Sequence, residues 1–270
     1  MCPEPEIRKS KKPVLLLLLV VGGVAASTLL ANIWKNDLPV HNMVVEGNRI
    51  VSTAEVLTLA KLDKEQNLFS LDLFEVRKRL EAHTFIRSAS VNREVPDNIR
   101  IEITERQPVA AVAMGKLKYL DEEGFVLPPA QSEHLFDLPV ITGVFRAGDL
   151  PSGKQTSRQD VLDGLELILI AKQLDEELYH TISEVHVEKG KDMVLYSAEY
   201  GVPVMFGSDD LAAKLLKLDT FWDSFVTQHG ASELRYIDVR YEDQVVVRWK
   251  HNPADTDDGT QKLKSSTHDT

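Results

Sequence analysis

Apolar and polar positions along the chain fall into segments of three different periods. Residues 14–31, "VLLLLLVVGGVAASTLLA", are uncharged and continuous, and they reach the length of a membrane-spanning helix. Arg8, Lys9, Lys11 and Lys12 precede this run, and only Lys35, soon balanced by Asp37, follows it. By the positive-inside rule the predicted topology is a cytoplasmic tail at 1–12, a transmembrane helix at 13–34, and the remainder outside. A cleaved signal is the rival reading, carried by the small residues Ala25, Ala26 and Ser27. Against it, apolar character continues through Leu29, Leu30, Ala31 and Ile33 to an interfacial Trp34.

Beyond the apolar run the periods shorten. "HNMVVEGNRIV" reads as a short strand closed by Gly47-Asn48, and Ser52-Thr53-Ala54-Glu55 has the capping-box form. Val56, Leu59, Ala60 and Leu62 then make one helix face, and Leu73, Val76 and Leu80 make another behind Asp72. A strand around 86–91 follows. Ile99, Ile101 and Ile103 alternate with Arg100, Glu102 and Thr104 after the turn residues Pro96-Asp97-Asn98, which predicts a half-buried strand. The order is β-α-α-β-β over about 39–113.

A second unit is predicted at 114–250. Its elements are a strand-turn-strand in "KLKYLDEEGFVLPP", a buried strand in "DLPVITGV" and a long helix at 158–178. Strands follow at 182–188, 192–198 and 202–206, then a helix at 209–228 that turns Leu211, Leu215, Leu218, Trp222 and Phe225 inward. "LRYIDVRYEDQVVVRWK" reads as a closing hairpin: Ile237, Val239 and Tyr241 share one parity, and Val245, Val247 and Trp249 share another. The tail 251–270 has Leu263 as its single large apolar residue and is predicted to be disordered. The fold class is therefore α+β, with a mixed α/β second domain ending in an edge hairpin.

Composition narrows the function. With 43% hydrophobic and 27% charged residues the chain is globular. Residues 1–34 carry four basic and two acidic side chains, so of the formal −11 the remainder carries −13. Such an acidic outer part excludes the basic footprint of a nucleic-acid binder. The single cysteine, Cys2, leaves the outer part without disulfides or thiol chemistry.

Catalytic signatures are absent. No nucleophile elbow, zinc-helix motif, phosphate-cradling glycine loop or paired cysteines occur in the chain. The histidines are scattered: His180 and His186 are six apart, a spacing neither helix nor strand brings onto one face for a metal. Asp121-Glu122-Glu123 before Gly124 reads as a solvated turn, and Asp255, Asp257 and Asp258 lack the spacing of a calcium loop. The expectation is a non-enzyme without metal or cofactor. The closing hairpin is the better signal, because a terminal strand can leave an edge free to accept a partner's strand. Tyr241 and Trp249 suit interface anchors there, although alternation alone slightly favours a core position for each ring. Arg240, Arg248 and Lys250 take the other parity.

The order of these features resembles a known family. A basic tail, one anchor, and a β-α-α-β-β unit holding "VEGN", "LFSLD" and "FIRSASVNREVPDNIRIEITERQPVA" resemble the POTRA domain of the FtsQ/DivIB cell-division proteins. "YLDEEGFVL", "LPVITG" and "YIDVRYEDQVVVRW" look like that family's β domain, so the resemblance covers nearly the whole chain. It implies a non-enzymatic, single-pass inner-membrane protein of the division septum, with the N-terminus cytoplasmic and the folded domains periplasmic. It also implies a link from early divisome components to the FtsB–FtsL pair and septal peptidoglycan synthesis, with a strand from FtsB received at the last hairpin. The family's aromatic positions there fall on Tyr241 and Trp249. The acidic "EDQ" turn and the charge of Arg248 depart from its pattern. Lys189 and Lys191 are candidates to pair with an acidic partner residue, and the surface around the first strand and Gly47 to recruit other division proteins. "TERQPVA" is the expected seam, where one sheet's strand ends and the next domain's begins.

Two other classes compete. A transport or outer-membrane biogenesis protein would use the POTRA unit to handle barrel strands, but one such unit without an array of lipid-facing alternating strands fits it poorly. An outer-face hydrolase lacks a nucleophile constellation.

Overall fold

The computed structural model describes residues 12–36, 38–63, 66–129, 136–144, 150–250 and 261–264. The expected cytoplasmic tail, with Cys2, lies outside these residues but for Lys12. Helix α1, Lys12–Asn36, covers the stretch where a membrane span is predicted, and its leucines and valines between Leu16 and Leu30 are exposed. Among the described residues no helix is long and apolar enough to cross a membrane.

The chain divides into two compact units between Glu105 and Arg106. This falls inside the expected seam but before the expected limit at 113, because strand β4, Pro108–Met114, pairs only with strands of the second unit.

In the first unit β1, Asn42–Glu46, is followed by α2, Thr53–Ala60, α3, Leu73–Glu81, β2, Ile86–Glu94, and β3, Asn98–Glu105. The sheet order is β1-β3-β2, with β1 parallel and β2 antiparallel to β3. The predicted caps are in place: Ser52 accepts from the Glu55 amide at 3.2 Å, and Asp72 accepts from Phe74 and Glu75. Val56, Ala60, Val76 and Leu80 of the helices and Ile99, Ile101 and Ile103 of β3 are all buried, and α3 packs on α2 and β2. Gly47 must be glycine: its φ is +84°, and a Cβ would stand 2.1 Å from the Ile103 carbonyl oxygen.

The core-facing parity of β3 runs one step past the isoleucines, to Glu105. Its buried carboxylate accepts from the amides of Arg49, Ile50 and Val51 at 3.0, 2.8 and 2.8 Å. The charged end of this strand is therefore a core position occupied by an acceptor for three backbone donors that the loop after β1 would otherwise leave unpaired.

In the second unit β4 is followed by β5, Lys116–Asp121, β6, Val126–Leu127, and β7, Val140–Thr142. Next come α4, Gln159–Leu174, α5, Glu176–Thr181, β8, Ile182–Val187, β9, Met193–Ser197, and β10, Pro203–Gly207. Helix α6, Leu211–Phe221, continues through a π-helical turn, Trp222–Val226, into α7, Thr227–His229; strands β11, Leu234–Asp238, β12, Gln244–Trp249, and β13, Gln261–Lys264, close the chain. One ten-stranded sheet runs β13-β12-β11-β10-β9-β8-β7-β4-β5-β6. Helix α4 packs on β4, β7 and β8, and α6 packs on α4 and β12. The crossing of α4 over β7 is close at Gly164, where a Cβ would meet Ile141 at 3.0 Å.

Arg106 opens this unit. Its guanidinium donates to Asp121 Oδ2 at 2.6 Å and Glu123 Oε2 at 3.0 Å, and lies 3.8 Å from the centre of the Phe125 ring. Asp121 also accepts from the Glu123 and Phe125 amides, so the predicted solvated turn is organised around a buried carboxylate.

The helix predicted at 158–178 is two helices. Asp175 is extended, with φ −155° and ψ 133°, and accepts from the amides of Glu177 and Leu178, which starts α5 anew. The helix predicted at 209–228 is likewise interrupted by the π turn, which keeps Trp222 and Phe225 packed on the core. The tail predicted to be disordered contains β13; its remaining residues lie outside the described ones. That strand also corrects the expected edge hairpin, since β12 has a neighbour on each side.

Two stability effects follow. Glu105→Ala, which strands three loop donors, is expected to lower the first unit's unfolding free energy by about 3 kcal/mol, with faster amide exchange at 49–51; urea unfolding and exchange read both. Tyr179 is buried and donates from its hydroxyl to the Val109 carbonyl at 2.9 Å. Burial first, then Glu176 and Asp137, push its pKa up to about 12. Since the unfolded tyrosine ionises near pH 10, this contribution is present below that pH and is lost as pH rises toward 12. Tyr179→Phe is expected to weaken the protein slightly at pH 8 and to flatten the loss of stability between pH 10 and 12, read from urea midpoints across that range.

Candidate partner-binding edge

The site to weigh is the closing hairpin. Strand β11 runs parallel to β10, with Val204 opposite Ile237, and β12 returns antiparallel, with Val247 opposite Ile237 and Val246 opposite Asp238. Val245, Val246 and Val247 are all buried, which makes the middle of β12 apolar on both faces.

The connection from Val239 to Asp243 is built by charges that the alternation pattern does not show. Asp238 is buried, accepts from the Arg240 amide at 3.1 Å and takes both Arg240 guanidinium donors, at 2.9 and 2.6 Å. This pair holds the Arg240 guanidinium more firmly charged than usual. Lys217 of α6 donates from Nζ to the carbonyls of Tyr241 and Glu242. Its burial, then the neighbouring Lys214 ammonium, keep the Lys217 pKa below the usual lysine value, against the pull of Asp243, Asp238 and Glu242. Lys214, only 6% exposed, is ion-paired with Asp209, whose carboxyl its hydrogen bond holds below the usual range.

The four candidate residues do not form one cluster. Tyr241 lies past the end of β11 and is 49% exposed, so the core parity it shares with Ile237 and Val239 does not extend to it. The connection has left the sheet by then, and Lys217 fixes its backbone there. Trp249 sits at the other end of β12, ~17 Å along the strand. It is half-buried against the core, with its ring 5.8 Å from Phe225 in a stack that continues through Phe221 and His229. Arg248, beside it, is exposed. Lys191 is in the β8–β9 turn with φ +77°, its Nζ 3.9 Å from Asp163 of α4. That turn is at the same end of the sheet as Tyr241 but three strands from β12, ~14 Å away. Lys189 lies in the same turn. Together the hairpin residues mark the two ends of one strand.

The outer edge of that strand is occupied. Gln244, Val245, Val246 and Val247 stand opposite Lys264, Leu263, Lys262 and Gln261 of β13. The signal was present in the tail as "QKLK", an apolar residue between two lysines, but four residues are too few for periodicity to distinguish a strand from a solvated segment.

Among the described residues no group of three or more His, Cys, Asp or Glu is placed to hold a metal ion. His186 and Glu184 meet instead at Thr142, whose hydroxyl lies 2.8 Å from His186 Nδ1 and donates to Glu184 at 2.5 Å.

Residues 38–106 match the family model of the POTRA domain, FtsQ-type, and residues 107–247 match FtsQ/DivIB, C-terminal related. The chain belongs to the FtsQ/DivIB family of cell-division proteins. The two matched segments meet at 106/107, one residue from the division between the compact units. The chain is 34% identical over 194 residues to the cell division protein FtsQ of Geotalea daltonii, covering 72% of this chain and 70% of that one. It is 32% identical over 217 residues to FtsQ of Syntrophotalea carbinolica, covering 77% and 73%. With FtsQ of Neisseria meningitidis it shares 28% identity over 229 residues, 84% of this chain and 88% of the other. The FtsQ/DivIB match ends at 247, so Arg248, Trp249 and β13 lie past it.

Lys217→Met removes the cation that holds the Tyr241 and Glu242 carbonyls. It is expected to cost about 1 kcal/mol and to speed amide exchange over 240–243 while leaving exchange in β10 and β11 unchanged, as read by exchange mass spectrometry.

Proposed function

We propose that this FtsQ/DivIB protein is a non-enzymatic division scaffold held in the inner membrane by the apolar run at 14–31, with both folded units on the periplasmic side at the septum. In this reading it connects early divisome components to an FtsB–FtsL type pair and thereby to septal peptidoglycan synthesis. The contact is a partner strand added to β12.

The observation that carries the site is the pairing of β12 with a stretch of chain from outside the hairpin. It supports strand addition because it shows that the outer edge of β12 can pair with an extended segment of suitable register. A partner strand there runs between Tyr241 at one end and Arg248 and Trp249 at the other. Tyr241 supplies exposed aromatic surface, Arg248 a cation for an acidic partner residue, and Trp249 a half-buried face beside the Phe225 stack. Lys191, three strands away, serves a partner segment that continues past β12 across that end of the sheet.

The anchor is read from the sequence, in which residues 14–31 form an uncharged apolar run of spanning length. Basic residues precede the apolar run, as the proposed orientation requires.

The test is binding of the full chain, in detergent micelles, to the soluble ectodomains of the organism's FtsB and FtsL type proteins. Tyr241→Ala and Arg248→Glu change exposed side chains and are expected to leave the circular dichroism spectrum and unfolding midpoint unchanged. Each is expected to weaken binding at least ten-fold, about 1.4 kcal/mol. Wild-type affinity in both folded variants would move the contact off β12.

A further inference from the structure

The sheet of the second unit has two margins, and the chain covers each of them. At one margin β6 is flanked by the segment before α4: the Val126 amide donates to the Lys154 carbonyl at 2.9 Å, and the Gly153 amide donates to the Val126 carbonyl at 2.8 Å. That cover is integral to the domain, since Phe125 and Gln155 also bridge there. At the other margin the cover is β13, a four-residue strand reached through the segment that follows Lys250. In the backbone register Leu263 stands opposite the buried Val245, and Lys262 and Lys264 stand opposite Val246 and Gln244.

Among the described residues the register runs from Gln244 opposite Lys264 to Val247 opposite Gln261.

We propose that Gln261–Lys264 is a built-in occupant of the β12 edge, which an incoming partner strand must displace, so that the C-terminal segment sets the chain's affinity for its partner. The proposal rests on the reading of β12 as the partner site. Tethering through Lys250 makes self-pairing intramolecular, at an effective concentration on the order of mM, so even a short strand competes with a dilute partner. A four-residue ladder is nevertheless weak, because isolated strand pairs are marginal in water. A partner strand long enough to span Gln244–Trp249 makes more backbone bonds than β13 and wins once engaged. Apparent partner affinity falls by the fraction of molecules whose edge is open, and roughly 90% self-occupancy weakens it about ten-fold.

The experiment compares three proteins in detergent micelles: the full-length wild type, full-length Leu263→Pro, and a chain ending at Lys250. Proline cannot donate to the ladder and clashes within it, so Leu263→Pro opens the edge without shortening the chain. Two quantities are read, amide exchange over Gln244–Val247 and the Kd for the FtsB and FtsL type ectodomains. Both variants are expected to exchange at least ten-fold faster over Gln244–Val247 than wild type in the absence of partner, with Kd lowered about ten-fold. Unchanged exchange in both variants overturns the self-strand, and wild-type binding lost in Tyr241→Ala would then leave the β12 site standing. Faster exchange with an unchanged Kd overturns the competition and moves the partner off the edge. Faster exchange with no partner binding to any of the three overturns the β12 reading and this inference together, while β13 remains a structural strand.

Discussion

A backbone amide or carbonyl removed from water needs a partner, and the outer edge of β12 is where this requirement meets the proposed function. Its three central valines are buried, so the strand is fixed by the core beneath it whatever lies alongside. The core supplies nothing for the edge groups pointing away from β11. Those groups are satisfied by water, by β13 or by another chain, and the choice among the three is a small free-energy difference because the same bonds are made in each case. An interaction surface of this kind needs no pocket. It needs a rigid strand, a register and ends that tell one extended segment from another.

The other fixed point is the pair of neighbours Glu105 and Arg106. Each is charged and largely buried, and each is committed to its own unit: Glu105 to the amides at 49–51, Arg106 to Asp121, Glu123 and Phe125. Each unit is thus locked at the residue where the chain passes from one to the other. Burial of these charges is tolerable because every one is met by donors or by an opposite charge. Truncating either leaves a buried counterpart behind, so the damage exceeds the worth of the bond removed.

Most of the architecture was legible in the sequence because burial there follows a simple period. Ile99, Ile101 and Ile103 announced β3, Ser52 and Asp72 announced the helix starts, and the closing hairpin followed from its valines. The failures share a cause. At Asp175, at Asp238 with Arg240, and at Lys217, local side-chain to backbone bonds override periodicity; in a sequence these residues look like ordinary polar surface. Glu105 was the plain case: its parity placed it in the core, but its charge suggested a terminus, and only the three amides of a loop more than fifty residues earlier reconcile the two. Tyr241 failed in the opposite sense, since parity was extended past the point where the backbone leaves the sheet. The pairing of β12 with β13 was not legible, because "QKLK" is too short to carry a period.

Strand addition also constrains how such a surface distinguishes partners. Main-chain bonds are indifferent to sequence, and a slip of one residue exchanges the two faces of the incoming strand. Register must therefore be set elsewhere, and β12 offers two unlike ends. Near Gln244 stand Glu242 and Asp243, with Lys217 and Arg240 holding the connection behind them; near Trp249 stand Arg248 and Lys250. An acidic residue on the incoming strand is favoured at the second end and disfavoured beside the acidic turn at the first, and a basic residue shows the reverse preference. β13 obeys this rule, with Lys264 opposite Gln244. Under the proposed reading, a partner strand with an acidic residue beside Arg248 differs from β13, whose register brings Lys264 to Gln244, in the charge it brings and in the end that its charge favours.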